Sequence, residues 1–170
     1  MRALRVSGIV DDSIVDGPGL RLTIFTQGCP HHCEGCHNPQ THAPDAGSIR
    51  KVSDICAMID ENPLCTGVTF SGGEPLLQPE PLTIIAQYAH EKGKNTWLFS
   101  GYTWEEILAL MKQSPAIAAF MQHIDGLVDG RFELATRDLT LLFRGSANQR
   151  IIDVPASLAH IDHPPVLLDL

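Results

Sequence analysis

Four short runs rich in β-branched and aromatic side chains recur along the chain: LRLTIFTQ (20–27), TGVTF (66–70), NTWLFS (95–100) and GLVDG (126–130). Between them lie stretches with helical periodicity. Ser53 can cap a helix with Ile55, Met58 and Ile59 on its apolar face, closed by a turn at Asn62 and Pro63. A second helix is expected over about Glu80 to Lys92, with Leu82, Ile85, Ala86 and Ala89 on one side and Gly93 as its stop. Thr103 and Glu106 form a T-x-x-E capping box for a third through Leu110, and Ser114 with Pro115 starts a fourth reaching about Gln122. Strands that alternate with helices imply βαβ units, hence a mostly parallel sheet with right-handed crossovers. LTLLF (139–143) and RIIDV (150–154) are two further candidate strands. With 170 residues the chain falls short of the ~250 of a closed eight-stranded barrel, so the expectation is an α/β fold, a curved and incomplete parallel β/α barrel. One domain is expected over 1–170, with its core at about 8–153 and a short tail at 154–170.

This order puts one polar segment after each strand. GCPHHCEGCHN (28–38) follows the first, SGGEP (71–75) the second, Ser100-Gly101-Tyr102 the third and Asp129-Gly130 the fourth. All four fall at carboxyl ends of strands, the edge where parallel α/β folds bind ligands.

The composition narrows the kind of ligand. Twelve Lys and Arg against 20 Asp and Glu give a formal net charge of -8, which argues against a nucleic-acid or anionic-membrane surface. No apolar run approaches the ~20 residues of a membrane span, and MRALRVSGIVDDS lacks the apolar centre of a signal peptide, so a cytoplasmic protein is expected. In that compartment thiols stay reduced, and five cysteines with three of them inside residues 29–36 read as metal or redox chemistry rather than a disulfide framework. Cys56 and Cys65 sit among helix-like and strand-like apolar residues and read as inert packed thiols.

Cys29, Cys33 and Cys36 follow C-x3-C-x2-C. Soft thiolates select zinc or iron-sulfur clusters. A structural zinc would take a fourth ligand, for which His31, His32 and His37 are candidates, and the product would be a non-catalytic interaction module. A four-iron cluster is ordinarily held by four Cys, so three leave one iron with an open coordination position. Such an iron could hold a small zwitterion whose ammonium group needs acceptors nearby. Ser71-Gly72-Gly73-Glu74-Pro75 offers close backbone approach at its two glycines and a carboxylate, although Gly-Gly is also an ordinary strand-to-loop turn. No Ser-His-Asp or paired-carboxylate arrangement stands out as acid-base machinery.

Together, C-x3-C-x2-C after the first strand and GGEP after the second resemble the radical S-adenosylmethionine enzymes. Within them DGPGLR (16–21), FTQGCP, CHNPQT, FSGGEPL, FSGYTWEE and VDGRFELATRDLTLLFRGSANQRIID (128–153) are similar to the activating proteins of anaerobic ribonucleoside-triphosphate reductase. The resemblance covers about Gly8 to Asp153, and its tail is its most specific part. It implies that Cys29, Cys33 and Cys36 hold a [4Fe-4S] cluster whose fourth iron is chelated by the methionine end of S-adenosylmethionine. Reductive cleavage of the sulfonium would give a 5'-deoxyadenosyl radical that takes a hydrogen atom from a glycine of the reductase large subunit, with reduced flavodoxin or ferredoxin as electron donor.

Gly72, Gly73 and Glu74 would bind the cofactor. Many members of the superfamily carry an aromatic residue before the third Cys; here Gly35 stands there, leaving the Gly35–Cys36 backbone and His37 as the adenine contact. Asp129 could touch the ribose or the ammonium group, or form only a turn, and Arg144, Asn148 and Arg150 either line the partner or cofactor side or anchor the last strands. The activator of pyruvate formate-lyase and the carboxy-deazaguanine synthase are the nearest alternatives of the same chemistry; length and tail argue against both.

Overall fold

The computed structural model describes residues 2–170. Its sheet has seven strands: β1 (Ala3–Ser13), β2 (Arg21–Thr26), β3 (Ser48–Lys51), β4 (Gly67–Gly72), β5 (Asn95–Phe99), β6 (Gly126–Asp129) and β7 (Arg150–Asp153), in the order β3-β1-β2-β4-β5-β6-β7. The four expected runs are β2, β4, β5 and β6, which pair in parallel at the centre. The flanks are antiparallel, with β1 beside β2, β3 beside β1 and β7 beside β6. The sheet is therefore mixed and open, with β3 and β7 at its edges. A short link (14–20) joins β1 to β2, which suits antiparallel neighbours, whereas each parallel pair needs a longer crossover.

Those crossovers carry the helices α1 (Val52–Glu61), α2 (Pro79–Glu91), α3 (Trp104–Gln113) and α4 (Pro115–Met121); α5 (Val154–Leu158) follows β7. Because β2, β4, β5 and β6 are added in chain order, right-handed crossovers put their helices on the same face. The packing agrees. Ile24, Phe70, Leu98, Leu127 and Ile152 lie side by side across the sheet, fully buried, and the same cluster holds Ile55, Leu82, Ile107, Phe120 and Val154 from the five helices. Strand alternation sends Trp97, Val128 and Ile151 to the other face, where a smaller cluster gathers Phe99, Phe143 and Leu168 and no helix takes part.

Sequence expectation and structure differ at four places. β1 and β3 are additional strands; β3 is an exposed edge strand with no apolar pattern of its own. LTLLF is not a strand: β7 already occupies the edge beside β6, and the run forms a loop with Leu139 and Leu142 exposed and Phe143 in the left-handed region at φ 59°. Ser53 is not the cap of α1, which begins at Val52. The Val52 N–H donates to Arg2 O at 3.1 Å, so the backbone of a neighbouring segment replaces a side-chain cap. The Thr103–Glu106 capping box and the Ser114 cap are both present. Among the described residues no helix is long and apolar enough to cross a membrane.

Candidate functional site

At the carboxyl edge of the parallel strands, the loops after β2 and β4 are stitched together by backbone hydrogen bonds. Gly28 N–H donates to Thr41 O (2.6 Å) and Cys29 N–H to His42 O (3.1 Å), closing the cysteine loop on itself. Gly73 N–H reaches Thr26 O (2.9 Å) and Glu74 N–H reaches Gly28 O (2.8 Å), tying the loop after β4 to the loop after β2. This contact explains the double glycine. A Cβ on Gly73 would lie 2.2 Å from Gly28 O, and one on Gly72 would lie 2.4 Å from Thr26 N.

The loops enclose a cavity of about 650 Å³, within the ~300–1,000 Å³ usual for small-molecule sites. Cys29, Cys33, Cys36, His37, Gly72, Gly73 and Arg144 all line it. Its floor is the helix-free face of the sheet, with Phe25, Ser71, Phe99 and Val128, and the 139–145 loop forms one wall. Gly35, Glu74, Asp129, Asn148 and Arg150 are not among its lining residues. Gly35 stands within the cysteine loop, where a Cβ would touch Leu134 and Phe132. Asp129 is buried and accepts from Trp104 N (2.8 Å), Arg150 N (3.0 Å) and Arg150 Nη2 (2.6 Å). Arg150 also reaches Glu105 Oε2 at 2.7 Å, so it fastens β7 to the start of α3. Asn148 donates to Arg131 O (2.8 Å) and accepts from Ser146 Oγ (2.6 Å) within its own loop.

The donor set suits a cluster. Cys29, Cys33 and Cys36 are free thiols, partly buried, on one cavity. Burial pushes the Cys29 thiol up, opposed by the N–H groups of His31 and His32, and pushes the Cys33 thiol up, opposed by the Phe132 N–H. Asn38 N–H donates to Cys36 Sγ at 3.4 Å. Backbone N–H groups directed at cysteine sulfurs are the contacts that tune iron-sulfur centres. Among the described residues no three His, Cys, Asp or Glu side chains converge as the ligands of one ion do. The loop histidines are engaged elsewhere: His31 with Glu74, His32 edge-on to His42, and His37 against Phe132.

Two residues of the cavity wall were not singled out by the sequence reading. His42 lines the cavity with a buried Nε2 that has no hydrogen-bond partner, and Phe132, which follows Arg131 in an unpatterned loop, packs on His37. Only their three-dimensional neighbours distinguish them.

Residues 15–152 match the family of 4Fe-4S single cluster domains. Over 144 residues, 80% of this chain and 90% of the relative, the sequence is 35% identical to the anaerobic ribonucleoside-triphosphate reductase-activating protein of Salmonella typhi, and the same figures hold for that of Escherichia coli K12. The protein of that name from Enterobacteria phage T4 is 31% identical over 146 residues, 81% of this chain and 86% of the relative. With a cluster-domain match over most of its length and relatives aligned over nearly theirs, the chain belongs to the family of anaerobic ribonucleoside-triphosphate reductase-activating proteins.

Proposed function

We propose that this chain is a glycyl-radical-generating oxidoreductase of the radical S-adenosylmethionine type, acting on the large subunit of anaerobic ribonucleoside-triphosphate reductase. The observation that carries this reading is that Cys29, Cys33, Cys36, Gly72 and Gly73 line one cavity in a chain of this family. When bound, a [4Fe-4S] cluster and S-adenosylmethionine would supply the reductive radical chemistry by which a hydrogen atom is removed from a glycine of the partner.

The protein's share of the work is to hold, orient and exclude water. Cys29, Cys33 and Cys36 would hold the cluster, on the same cavity that would receive the methionine end of the cofactor. The Gly72–Gly73 backbone would face its ammonium group and the Cys36 backbone with His37 the adenine, while Gly35, off the cavity lining, would serve through the loop turn it allows at φ 72°. Glu74 and Asp129 serve the cofactor from within the wall, since their oxygens are already occupied by the protein's own donors. Arg144 faces the cavity toward cofactor or partner, while Asn148 and Arg150 fasten the loop that carries it.

The sheet is the incomplete barrel of this enzyme class, its helix-free face forming the site. Residues 1–170 act as one domain, with the tail held on β7 by the Leu168 N–H to Ile151 O bond at 2.9 Å. The partner's glycine enters past an exposed apolar rim of Ile14, Val15, Leu139 and Leu142. Electrons come from reduced flavodoxin or ferredoxin in the cytoplasm, where the thiols stay reduced.

Anaerobic reconstitution with iron and sulfide, followed by detection of 5'-deoxyadenosine and of a glycyl signal on the reductase by electron paramagnetic resonance, tests this reading. Cys33→Ala should abolish cofactor cleavage and leave the far-ultraviolet circular dichroism of the α/β fold intact, because the cysteine stands on a loop outside the core. Iron-free protein binding one zinc, or a reductase that stays silent, refutes it.

A further inference from the structure

His31 lies between the first two cysteines, yet neither cluster nor cofactor accounts for how it is held. Its side chain is 4% exposed, and Nε2 donates to Glu74 Oε1 at 2.8 Å. Glu74 is itself fully buried and takes further donors: Ser100 Oγ at 2.8 Å, Gly101 N at 2.8 Å and Leu76 N at 3.0 Å. The His31 ring meets Tyr102 edge-on at 4.6 Å between centroids. It also lies so close to Gly101 that a Cβ there would come within 2.3 Å of His31 Cδ2. One carboxylate thus joins three loops, those after β2, β4 and β5, and His31 is the only side chain of the cysteine loop that reaches it.

A buried carboxylate needs donors to be tolerated at all, and a histidine could serve that need alone. Its location says more. The three loops joined are the ones that carry the cysteines, the double glycine and Gly101, all on the cavity. A ligand that spans the cysteine loop and the glycine loop is bound well only when the two are held in register, since small misplacements of either partner cost heavily.

We propose that His31 is a positioning residue: its hydrogen bond to Glu74 fixes the cysteine loop relative to the Gly72–Gly73 backbone, so that affinity for S-adenosylmethionine depends on it and cluster assembly does not. This inference rests on the function proposed above. The variants are His31→Leu, which removes the donor and keeps bulk, His31→Gln, which restores an N–H at similar reach, Glu74→Gln, and the His31→Leu/Glu74→Gln double.

In reconstituted protein, iron and sulfide per chain should match the parent in all four. Losing a hydrogen bond to a charged group should raise KM for S-adenosylmethionine ~10-fold or more in His31→Leu and Glu74→Gln, with kcat changed far less. His31→Gln should restore most of the affinity, and the double should be little worse than either single change. The cofactor-induced change in the reduced cluster's paramagnetic resonance spectrum should weaken in parallel. In metal-free protein, the amides of Leu76 and Gly101 should exchange faster in His31→Leu.

Unchanged KM in both single variants overturns the inference, as does loss of cluster in place of loss of affinity. Should His31→Leu fail to fold, Glu74→Gln and His31→Gln decide: unchanged KM in Glu74→Gln overturns it. A parent protein that assembles no cluster refutes the proposed function and this inference with it. A parent that assembles one, beside variants that bind the cofactor equally well, refutes this inference alone.

Discussion

A Cβ on Gly67 would lie 2.3 Å from Asn95 Oδ1 and 2.5 and 2.6 Å from the two terminal nitrogens of Arg21. Arg21 is fully buried at the start of β2. It is held by Thr69 Oγ1 (2.6 Å), Pro18 O (2.8 Å) and Val68 O (3.1 Å), with Trp97 at 5.9 Å, and burial lowers its pKa to about 10. A buried guanidinium held by neutral acceptors tolerates little displacement. Gly67→Ala should therefore destabilise the protein by ~1–3 kcal/mol, read from urea unfolding, because overpacking here displaces a charged group rather than a flexible end. Cys65→Ala should cost less and leave cluster content unchanged. Its buried Sγ donates to Gly67 O at 2.9 Å and lies outside the cavity lining. Cys29, Cys33 and Cys36 were legible in the sequence as candidate cluster ligands because their spacing is local, all within one loop. Arg21 was not, because its acceptors Val68 and Thr69 stand 47 and 48 residues away and nothing near it in the chain marks it as buried.

Helix α3 shows the same division at the level of elements. Its start was legible because Thr103 and Glu106 stand three residues apart and satisfy each other's backbone, Glu106 N–H to Thr103 Oγ1 at 3.2 Å and Thr103 N–H to Glu106 Oε1 at 3.0 Å. Thr103→Ala should cost ~1 kcal/mol of stability, measured by thermal unfolding. What the local pattern does not reveal is that the same turn is tied to β7 by Arg150 and to the loop after β6 by Arg131. Hydrogen bonding from Arg150 holds Glu105 below its ordinary value of 4.5, and hydrogen bonding from Arg131 does the same for Glu106. A carboxylate whose folded pKa is depressed adds stability above its unfolded pKa, and that stability is lost as pH falls through the folded value. The parent should therefore lose stability as pH drops below 4.5, and the Glu105→Gln/Glu106→Gln variant should show a shallower acid slope in urea midpoints. Both carboxylates are well exposed, so the difference should stay within ~1 kcal/mol. β1 and β3 were missed for a related reason. The Leu4 and Val6 alternation in β1 is short and is broken by two register shifts, and β3 has only its partner's backbone to define it.

Across the molecule, single-sided helix coverage creates the site. Five helices bury one face of the sheet, and the other is left to the loops that build the cavity. Parallel pairing of the four central strands followed from the alternation of elements; the fate of LTLLF did not, because its composition suits a strand while the edge beside β6 is taken by β7. The run instead carries Phe143 onto Trp97, with centroids 5.8 Å apart, and leaves Leu139 at 74% exposure on the rim. Ile14 and Val15, at 73% and 70%, stand on the same rim. Large apolar residues left in water around a ligand cavity contribute little to folding and are suited to meeting another protein. Leu139→Glu should leave stability, read from urea unfolding, unchanged within ~0.5 kcal/mol, since surface substitutions away from packed features do little. Cofactor cleavage in the absence of partner should also persist, because Cys29, Cys33, Cys36 and the glycine loop are untouched. Transfer of the radical should fall, because a carboxylate on an apolar rim must be desolvated when the partner docks. The measurement is a pair: 5'-deoxyadenosine formed without the reductase, and glycyl signal formed with it. A fall in the second against a steady first places the docking surface on this rim, and an equal fall in both moves Leu139 into the cofactor site itself.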